Sequence, residues 1–445
     1  MTVPVAAARS APPARSTWLV SLYYEHGWEH GAHLRTFAIA REWVRQGAEV
    51  HFVALEFDHT DQALPGPYLE RLRDEGIITA FDRIRLRHTW LRGKLARGML
   101  HPGARDVALR PERSAMRTEL ETIARRRAPN AVVFADTHLL FAAPQLRRYA
   151  PVTVDWKDSH ALQYARAQRE AVRRGDWRDA TLGILERSEA TLEERYYGLH
   201  VDHNVFVSPI DASAMTRLLG SAATVHTVPN GIRARPAPST TPREPGRLIF
   251  SGAMDFAPNH HAAVWFIRQV LPRVVAQRSD ARFVVAGSNP LPELRALAGP
   301  NVEITGWVDD MRAELARSAL YVAPMRSGSG FKNKVVEALA AGTYVVGTAL
   351  AFEFLPDPLR APFTAADSPS ELAHVVLRAL DCSAHNTAAV AQFWQLAQDE
   401  FDWAHVATRF AGVIGTPSRI APALLRNGRA LDAGTFGASA SLDGL

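Results

Sequence analysis

The sequence predicts a two-domain α/β protein in which each domain is a doubly wound parallel sheet. Three observations carry this. The chain has 445 residues, more than one ordinary hydrophobic core organises. Short apolar, β-branched runs alternate with helical segments through both halves, the pattern of successive βα units. Between the halves, residues 233–246 (RARPAPSTTPREPG) are rich in Pro, Ser and Thr and lack large apolar side chains, as a linker does. The expected order is a disordered lead at 1–16, a first domain at 17–232, the linker at 233–246, a second domain at 247–400, a helix at 401–416 and a disordered tail at 417–445.

In the first half, Thr17–Leu22 (TWLVSL) is a buried-strand run, and Tyr23–Gly31 (YYEHGWEHG) is the loop that follows. Leu34, Phe37, Ala38 and Val44 recur at helical spacing, and Gly47 supplies the stop. Glu49–Leu55 then completes a strand–turn–helix–strand unit. Ala131–Ala135, Pro151–Val154, Val205–Ser208 and Val225–Val228 are further strands. Polar clusters follow two of them, Asp136-Thr137-His138 and Asp155-Trp156-Lys157-Asp158-Ser159-His160. Strand ends are where α/β sheets place ligands, so His138, Asp158 and His160 are candidates for a cleft; helix capping accounts for such residues equally well.

Asp82–Arg117 departs in composition, with ten Lys and Arg against three acids and with Trp90, Leu91, Leu95, Met99 and Leu100 interleaved. The main expectation is a solvated helix face with aliphatic anchors; the sharper one is a peripheral contact with anionic lipid or a dock for an anionic acceptor. Elsewhere, 47% hydrophobic and 22% charged residues with a net charge of +5 describe a folded globular chain. No nucleic-acid-binding motif is present, so no nucleic acid partner is expected. The single cysteine, Cys382, excludes an internal disulfide framework and a Cys-based zinc site, and fits a reducing, cytoplasmic compartment. Residues 1–16 lack the apolar core of a signal peptide, and no run is long and apolar enough to span a bilayer.

In the second half, strands are expected at Arg247–Ser251, Arg282–Ala286, Val302–Thr305, Leu320–Ala323 and Tyr344–Val346, with helices including His260–Gln277, Asp309–Arg317, Ser368–Leu380 and Ala388–Asp399. The most informative stretch is Arg326–Thr348, RSGSGFKNKVVEALAAGTYVVGT. A loop with Gly328 and Gly330 lets backbone N–H groups approach a ligand closely. A helix starting just after it adds free N–H groups and a positive dipole end, and Lys332 adds a full charge. Together these describe an anion site, most simply for a diphosphate. Glu337 lies one turn further, roughly 5 Å along the axis, and suits a nucleotide's sugar hydroxyls. An ordinary helix cap with a solvated acid is the plain alternative.

Gly328-Ser329-Gly330-Phe331-Lys332-Asn333-Lys334-Val335-Val336-Glu337-Ala338-Leu339-Ala340-Ala341-Gly342 resembles the donor-binding signature of retaining nucleotide-sugar glycosyltransferases of the GT-B fold, group one, family four. Among these the chain looks nearest to bacterial exopolysaccharide-type sugar transferases. The resemblance implies two Rossmann-like domains facing across a cleft and a C-terminal helix crossing back onto the first domain. It gives the Gly-rich loop (Gly328, Ser329, Gly330, Phe331) and Lys332 to the donor diphosphate, and Glu337 to its ribose. His138 resembles the first-domain histidine that faces the donor sugar. Gly27, Gly31 and Arg35 become candidates for the acceptor side of the cleft, with Asp158 and His160. No cofactor beyond the nucleotide diphosphate sugar and no metal site are implied.

Two departures stand out. Many members carry an acid eight residues before Glu337, where this chain has Ser329. Many also carry an Arg and a Lys after the first strand of the second domain, where this chain reads Ser251-Gly252-Ala253-Met254-Asp255. Arg326 is the expected replacement for the missing base. The function expected is transfer of a sugar, with retention, to a glycan, lipid-linked or small-molecule hydroxyl in polysaccharide, glycolipid or glycoconjugate synthesis. A cytoplasmic location is expected, with peripheral contact at the membrane's inner face, through Asp82–Arg117, as the alternative. A nucleotide-sugar epimerase or hydrolase of the same fold, and a non-catalytic sugar-nucleotide binder, are the other readings.

Overall fold

The computed structural model describes residues 16–22, 31–57, 66–86, 110–135, 137, 140–232, 242–397 and 400–414. The expected lead, the Tyr23–His30 part of the first loop, most of the linker and the tail lie outside these residues.

The first domain is a seven-stranded sheet in the order β3-β2-β1-β4-β5-β6-β7. Its strands are β1 (Ser16–Leu22), β2 (Glu49–Phe57), β3 (Ala80–Leu86), β4 (Ala131–Phe134), β5 (Val152–Lys157), β6 (His203–Phe206) and β7 (Val225–Thr227). The second is a five-stranded sheet in the order β10-β9-β8-β11-β12. Here the strands are β8 (Glu244–Ser251), β9 (Arg282–Ala286), β10 (Val302–Gly306), β11 (Ser318–Ala323) and β12 (Val345–Gly347). Every pairing is parallel. This is the GT-B fold. Central strands such as Ala131–Phe134 are buried along their whole length, which is why they read as unbroken apolar runs. In both sheets the strand order reverses beside the first strand, the kind of switch point where open α/β sheets place ligands.

Two boundaries differ from expectation. β8 begins at Glu244, inside the predicted linker, because Arg282, Arg317 and Arg247 gather around the Glu244 carboxylate and anchor the start of this central strand. Asp82–Leu86 is not helical but the end of the edge strand β3. Asp82 there pairs with His51 on β2 at 2.9 Å and with Arg126 at 2.8 Å. The helix Arg110–Arg127 follows, and Arg113 and Arg117 stack over the Phe141 ring rather than forming a free basic face. Residues 87–109, the centre of the expected peripheral contact, lie outside the described residues.

The chain crosses between domains twice at one place. Ile232 N–H donates to the Phe401 carbonyl at 2.7 Å, beside a bridge between Ile232 and Asp402. The helix Trp403–Ile414 then lies on the first domain, burying Trp403, Val406, Ala407, Phe410, Ala411 and Ile414. Each large side chain of that face contributes about 1.5–3 kcal/mol of burial. Trp43, on the helix Gly31–Arg45, donates its indole N–H to the Ala407 carbonyl at 2.8 Å.

Arg35 belongs to this tether and not to the cleft. It is 3% exposed and donates through Nε to both oxygens of Asp155, at 3.1 and 2.9 Å. Its Nη1 reaches the Pro229 carbonyl at 2.7 Å and Asn230 Oδ1 at 3.1 Å. The guanidinium therefore joins a helix, β5 and the turn that leads to the crossing. Arg35→Met strands Asp155 as a buried, uncompensated charge. It is expected to destabilise the first domain by about 3–5 kcal/mol, read as a lowered urea midpoint; a loss below about 1 kcal/mol would contradict this assignment.

Candidate functional site

A cavity of about 580 Å³ opens at the carboxyl ends of β8, β9 and β11, between the two domains. Its floor is two glycine turns in contact, Gly252 after β8 and Gly287 after β9. A Cβ on Gly287 would lie 1.8 Å from the Gly252 carbonyl oxygen, so the backbones approach as closely as they do only because Gly287 has none. The rim carries Trp307, which is 67% exposed.

The Gly-rich loop forms one wall and is held from both domains. Gly328 and Gly330 have φ of 105° and 73°, in the left-handed region. The Gly330 N–H donates to Asp211 Oδ2 at 2.9 Å, and the Gly328 carbonyl accepts from Arg166 at 2.9 Å. Both partners belong to the first domain. Asp211 also accepts from the Ser159 N–H at 2.9 Å and from the Ser208 hydroxyl. Ser159 in turn donates to Glu194 at 3.0 Å, and burial raises the Glu194 pKa to about 7. Arg166 forms a two-pronged pair with Glu353 of the second domain at 2.6 and 2.8 Å.

Lys332 is 5% exposed and donates Nζ to the Ser329 carbonyl at 2.7 Å and the Gly330 carbonyl at 3.0 Å. It braces the loop from within as well as charging the cavity wall. Burial lowers its pKa, against the opposing pull of Glu353, Asp158 and Asp211. Lys334 reaches further. Its Nζ donates to Asn259 Oδ1, stands 4.9 Å over the Phe250 ring and lies 3.1 Å from where a Gly252 Cβ would be. Burial, then the nearby Lys332 charge, lowers its pKa to about 7, with Glu337 opposing. Both ammonium groups flank the start of the helix Asn333–Ala340, which has no side-chain cap. The arrangement suits an anion.

Glu337 opens into the same cavity one turn down that helix. Among the described residues no hydrogen bond or ion pair reaches its carboxylate. The surrounding walls raise its pKa by desolvation, and Lys334 partly offsets this. It is therefore a charge-bearing acceptor with open valences beside a cationic site.

The remaining predicted residues divide. Gly328, Ser329, Phe331 and Asp158 line the cavity with Lys332 and Glu337. Gly330 is backed by the Asp158 carboxylate. Arg326 corrects the prediction: it is not among the lining residues, because it donates to the buried Glu170 at 2.7 Å across the domain boundary and lies over the Trp265 ring. His160 is exposed at the start of the helix His160–Arg174, away from the lining. Gly31 is the first residue of the helix Gly31–Arg45, and Arg35 has the tethering role described above. Gly27 and His138 lie outside the described residues. Among the described residues no group of three or more His, Cys, Asp or Glu is placed to hold a metal ion, and no helix is long and apolar enough to cross a membrane.

Residues 245–382 match the family model described as glycosyl transferases group 1. Over these residues the second domain is similar to that family. The phosphatidyl-myo-inositol mannosyltransferase of Mycolicibacterium smegmatis is 32% identical over 180 residues, covering 38% of this chain and 44% of that protein. That of Mycobacterium tuberculosis is 31% identical over 180 residues, covering 38% and 45%. The matched region thus spans under half the length of these relatives. Anabaena HepE in complex with UDP superposes with a TM-score of 0.59 at 13% identity, over 89% of this chain and 98% of that one. Sucrose-phosphate synthase from Thermosynechococcus elongatus gives 0.62 at 15% identity, over 88% and 97%. These two likenesses extend the fold over both domains.

Within the matched residues, sequence reasoning gave the missing base to Arg326, whereas the ammonium that reaches the turn after β8 is Lys334. The signal was the spacing itself. Lys332 and Lys334 stand one residue before and one residue after the first position of the helix, and so point different ways. Asp211, Glu194 and Arg166 were missed because their partners lie far away in sequence. A diphosphate bound there would stabilise the charged form of Lys334, so that binding at alkaline pH would take up a proton. Between pH 7.5 and 9, above the phosphate's own titration near 6, affinity for UDP or GDP is expected to fall by up to about tenfold per pH unit. Lys334→Met should be weaker throughout and flat over that range; a flat wild-type profile in calorimetry would contradict a contact at Lys334.

Proposed function

We propose that the chain is a glycosyltransferase that moves a sugar from a nucleoside diphosphate sugar to an acceptor hydroxyl with retention of configuration. The observation that carries this is the pairing of two lysines at an uncapped helix start with an unpartnered carboxylate one turn below. The names of the mannosyltransferase relatives support a glycolipid or other lipid-linked acceptor, reached by peripheral contact at the cytoplasmic face of a membrane. Support for the donor class comes from HepE, whose structures are titled as complexes with UDP, UDP and glucose, and UDP-glucose.

In this reading the diphosphate lies against the loop and Lys334, and the pentose hydroxyls donate to Glu337. The exposed Trp307 face at the rim offers a stacking surface for the base. As the bond from the anomeric carbon to the diphosphate breaks, negative charge grows on the leaving oxygen. Lys334, Lys332 and the helix end are already oriented toward it, so little reorganisation is needed as that charge develops. Retention follows when the acceptor hydroxyl enters on the face that the diphosphate leaves. The first domain, held to the loop through Asp211 and Arg166, closes the cavity against water.

A thermal-shift screen of UDP-, GDP- and dTDP-sugars should give one donor class that raises the melting temperature by mass action. Glu337→Ala should weaken that donor by about 10–100-fold, the worth of hydrogen bonds to a charged acceptor. No stabilisation by any sugar nucleotide, or full affinity in Glu337→Ala, would overturn the reading.

A further inference from the structure

The helix Trp177–Gly198 inverts the usual amphipathic pattern over its first turns. It forms a hairpin with the helix His160–Arg174, joined through the turn at Gly175. Its inner face there is made of small side chains, with Ala180, Gly183 and Ala190 buried. A Cβ on Gly183 would lie 3.1 Å from Gln168 Cβ, so the two helices are already closely packed. The large apolar side chains point the other way. Trp177 is 69% exposed, Ile184 51% and Leu185 53%. A helix that packs only on its own domain turns such residues inward and its charges outward.

The outer face is a continuous stripe. Trp177, Thr181, Ile184, Leu185 and Ser188 follow a spacing that puts residues on one side of a helix, and all five are exposed. No charge interrupts it. Its two hydroxyls donate back into their own helix, Thr181 to the Trp177 carbonyl at 2.8 Å and Ser188 to the Ile184 carbonyl at 2.7 Å. The stripe therefore offers apolar contact and no unmet polar group. Arg178 stands on its flank near one end, and Glu186 lies about two turns later. Among the described residues neither side chain makes a hydrogen bond or an ion pair. They are roughly 12 Å apart along the axis, too far to pair with each other.

This pattern is complementary to itself. Laid antiparallel on a copy about a two-fold axis beside Leu182, the stripe sets the large Trp177 over the small Ser188 and Ile184 over Thr181. Each relation then occurs twice. The same arrangement brings Arg178 of one copy to Glu186 of the other. An anionic lipid surface fits less well. Glu186 would face it, and Arg173 and Arg174 at the turn are already paired with Glu170 and Asp179.

We propose that the Trp177–Ser188 stripe is a homodimer interface, with a second copy of this chain seated antiparallel on it. The interface is independent of what binds in the cavity. It runs roughly 18 Å along the helix. That length puts the contact at the small end of specific interfaces and its dissociation constant on the order of 1–100 µM.

Sedimentation velocity of the full chain, from about 1 to about 200 µM at low ionic strength, should show monomer converting to dimer. Ile184→Glu, at an exposed position and checked for folding by circular dichroism, should abolish the dimer over that range. Arg178→Glu and Glu186→Arg each place like charges together at both ends of the interface and should each weaken it by about 3–30-fold. An equimolar mixture of those two variants restores opposite charges at both ends, so it should dimerise as tightly as the wild type. A monomer at every concentration, a dimer that survives Ile184→Glu, or a mixture no tighter than its components would overturn the proposal. So would a monomer that binds phosphatidylglycerol–phosphatidylcholine vesicles through Ile184, since the stripe would then belong to a membrane.

Discussion

The Gly330 amide is held by a carboxylate from the other domain, and the arrangement of the cleft depends on that contact. Asp211 is itself fixed by Ser159 and Ser208, so the loop is pinned to a buried hydrogen-bond network and not to a mobile surface chain. The position is demanding in two ways. Its φ of 73° is left-handed, and the space where a side chain would begin is filled by Asp158. Once Gly330 is set, Lys332 can turn back onto the carbonyls of residues 329 and 330, and the helix that follows starts with its N–H groups and Lys334 facing the cavity.

Electrostatics then divides the cavity. Lys332 and Lys334 lie on the second domain, and burial, with repulsion from Lys332, lowers the pKa of Lys334. Such a pair is poorly stabilised without an anion, and its neighbours supply only part of one. Arg166 and Arg326, two further cations at the boundary, pair with Glu353 and Glu170 in contacts that join the domains. Among the described residues, the cations that line the cavity are Lys332 and Lys334. The two lining carboxylates among the described residues, Glu337 and Asp158, are acceptors that the cavity offers to hydroxyl donors.

The fold was legible because its strands are buried on both faces and therefore appear as apolar runs. The 328–337 block was legible for a different reason: its loop, lysines and acid are contiguous in the chain and line one cavity. Contacts between distant segments were not legible. Arg326 looked like a spare cation beside the loop, yet Glu170, 156 residues earlier, takes it. Arg35 looked like a cleft residue because it follows a Gly-containing loop, yet Asp155 and the Pro229–Asn230 turn bury it. Asp82–Leu86 was read as part of a basic helical stretch because ten cations dominate the window. The local alternation Arg83, Ile84, Arg85, Leu86 carried the strand signal that the longer average obscured.

The most direct measurement is a crystal structure of the full chain with whichever of UDP and GDP binds more tightly. The account predicts the diphosphate within hydrogen-bond reach of Lys334 Nζ and the 328–332 loop, with the pentose hydroxyls on Glu337. A nucleotide bound outside this cavity, or seated in it with Glu337 untouched, would contradict the central claim.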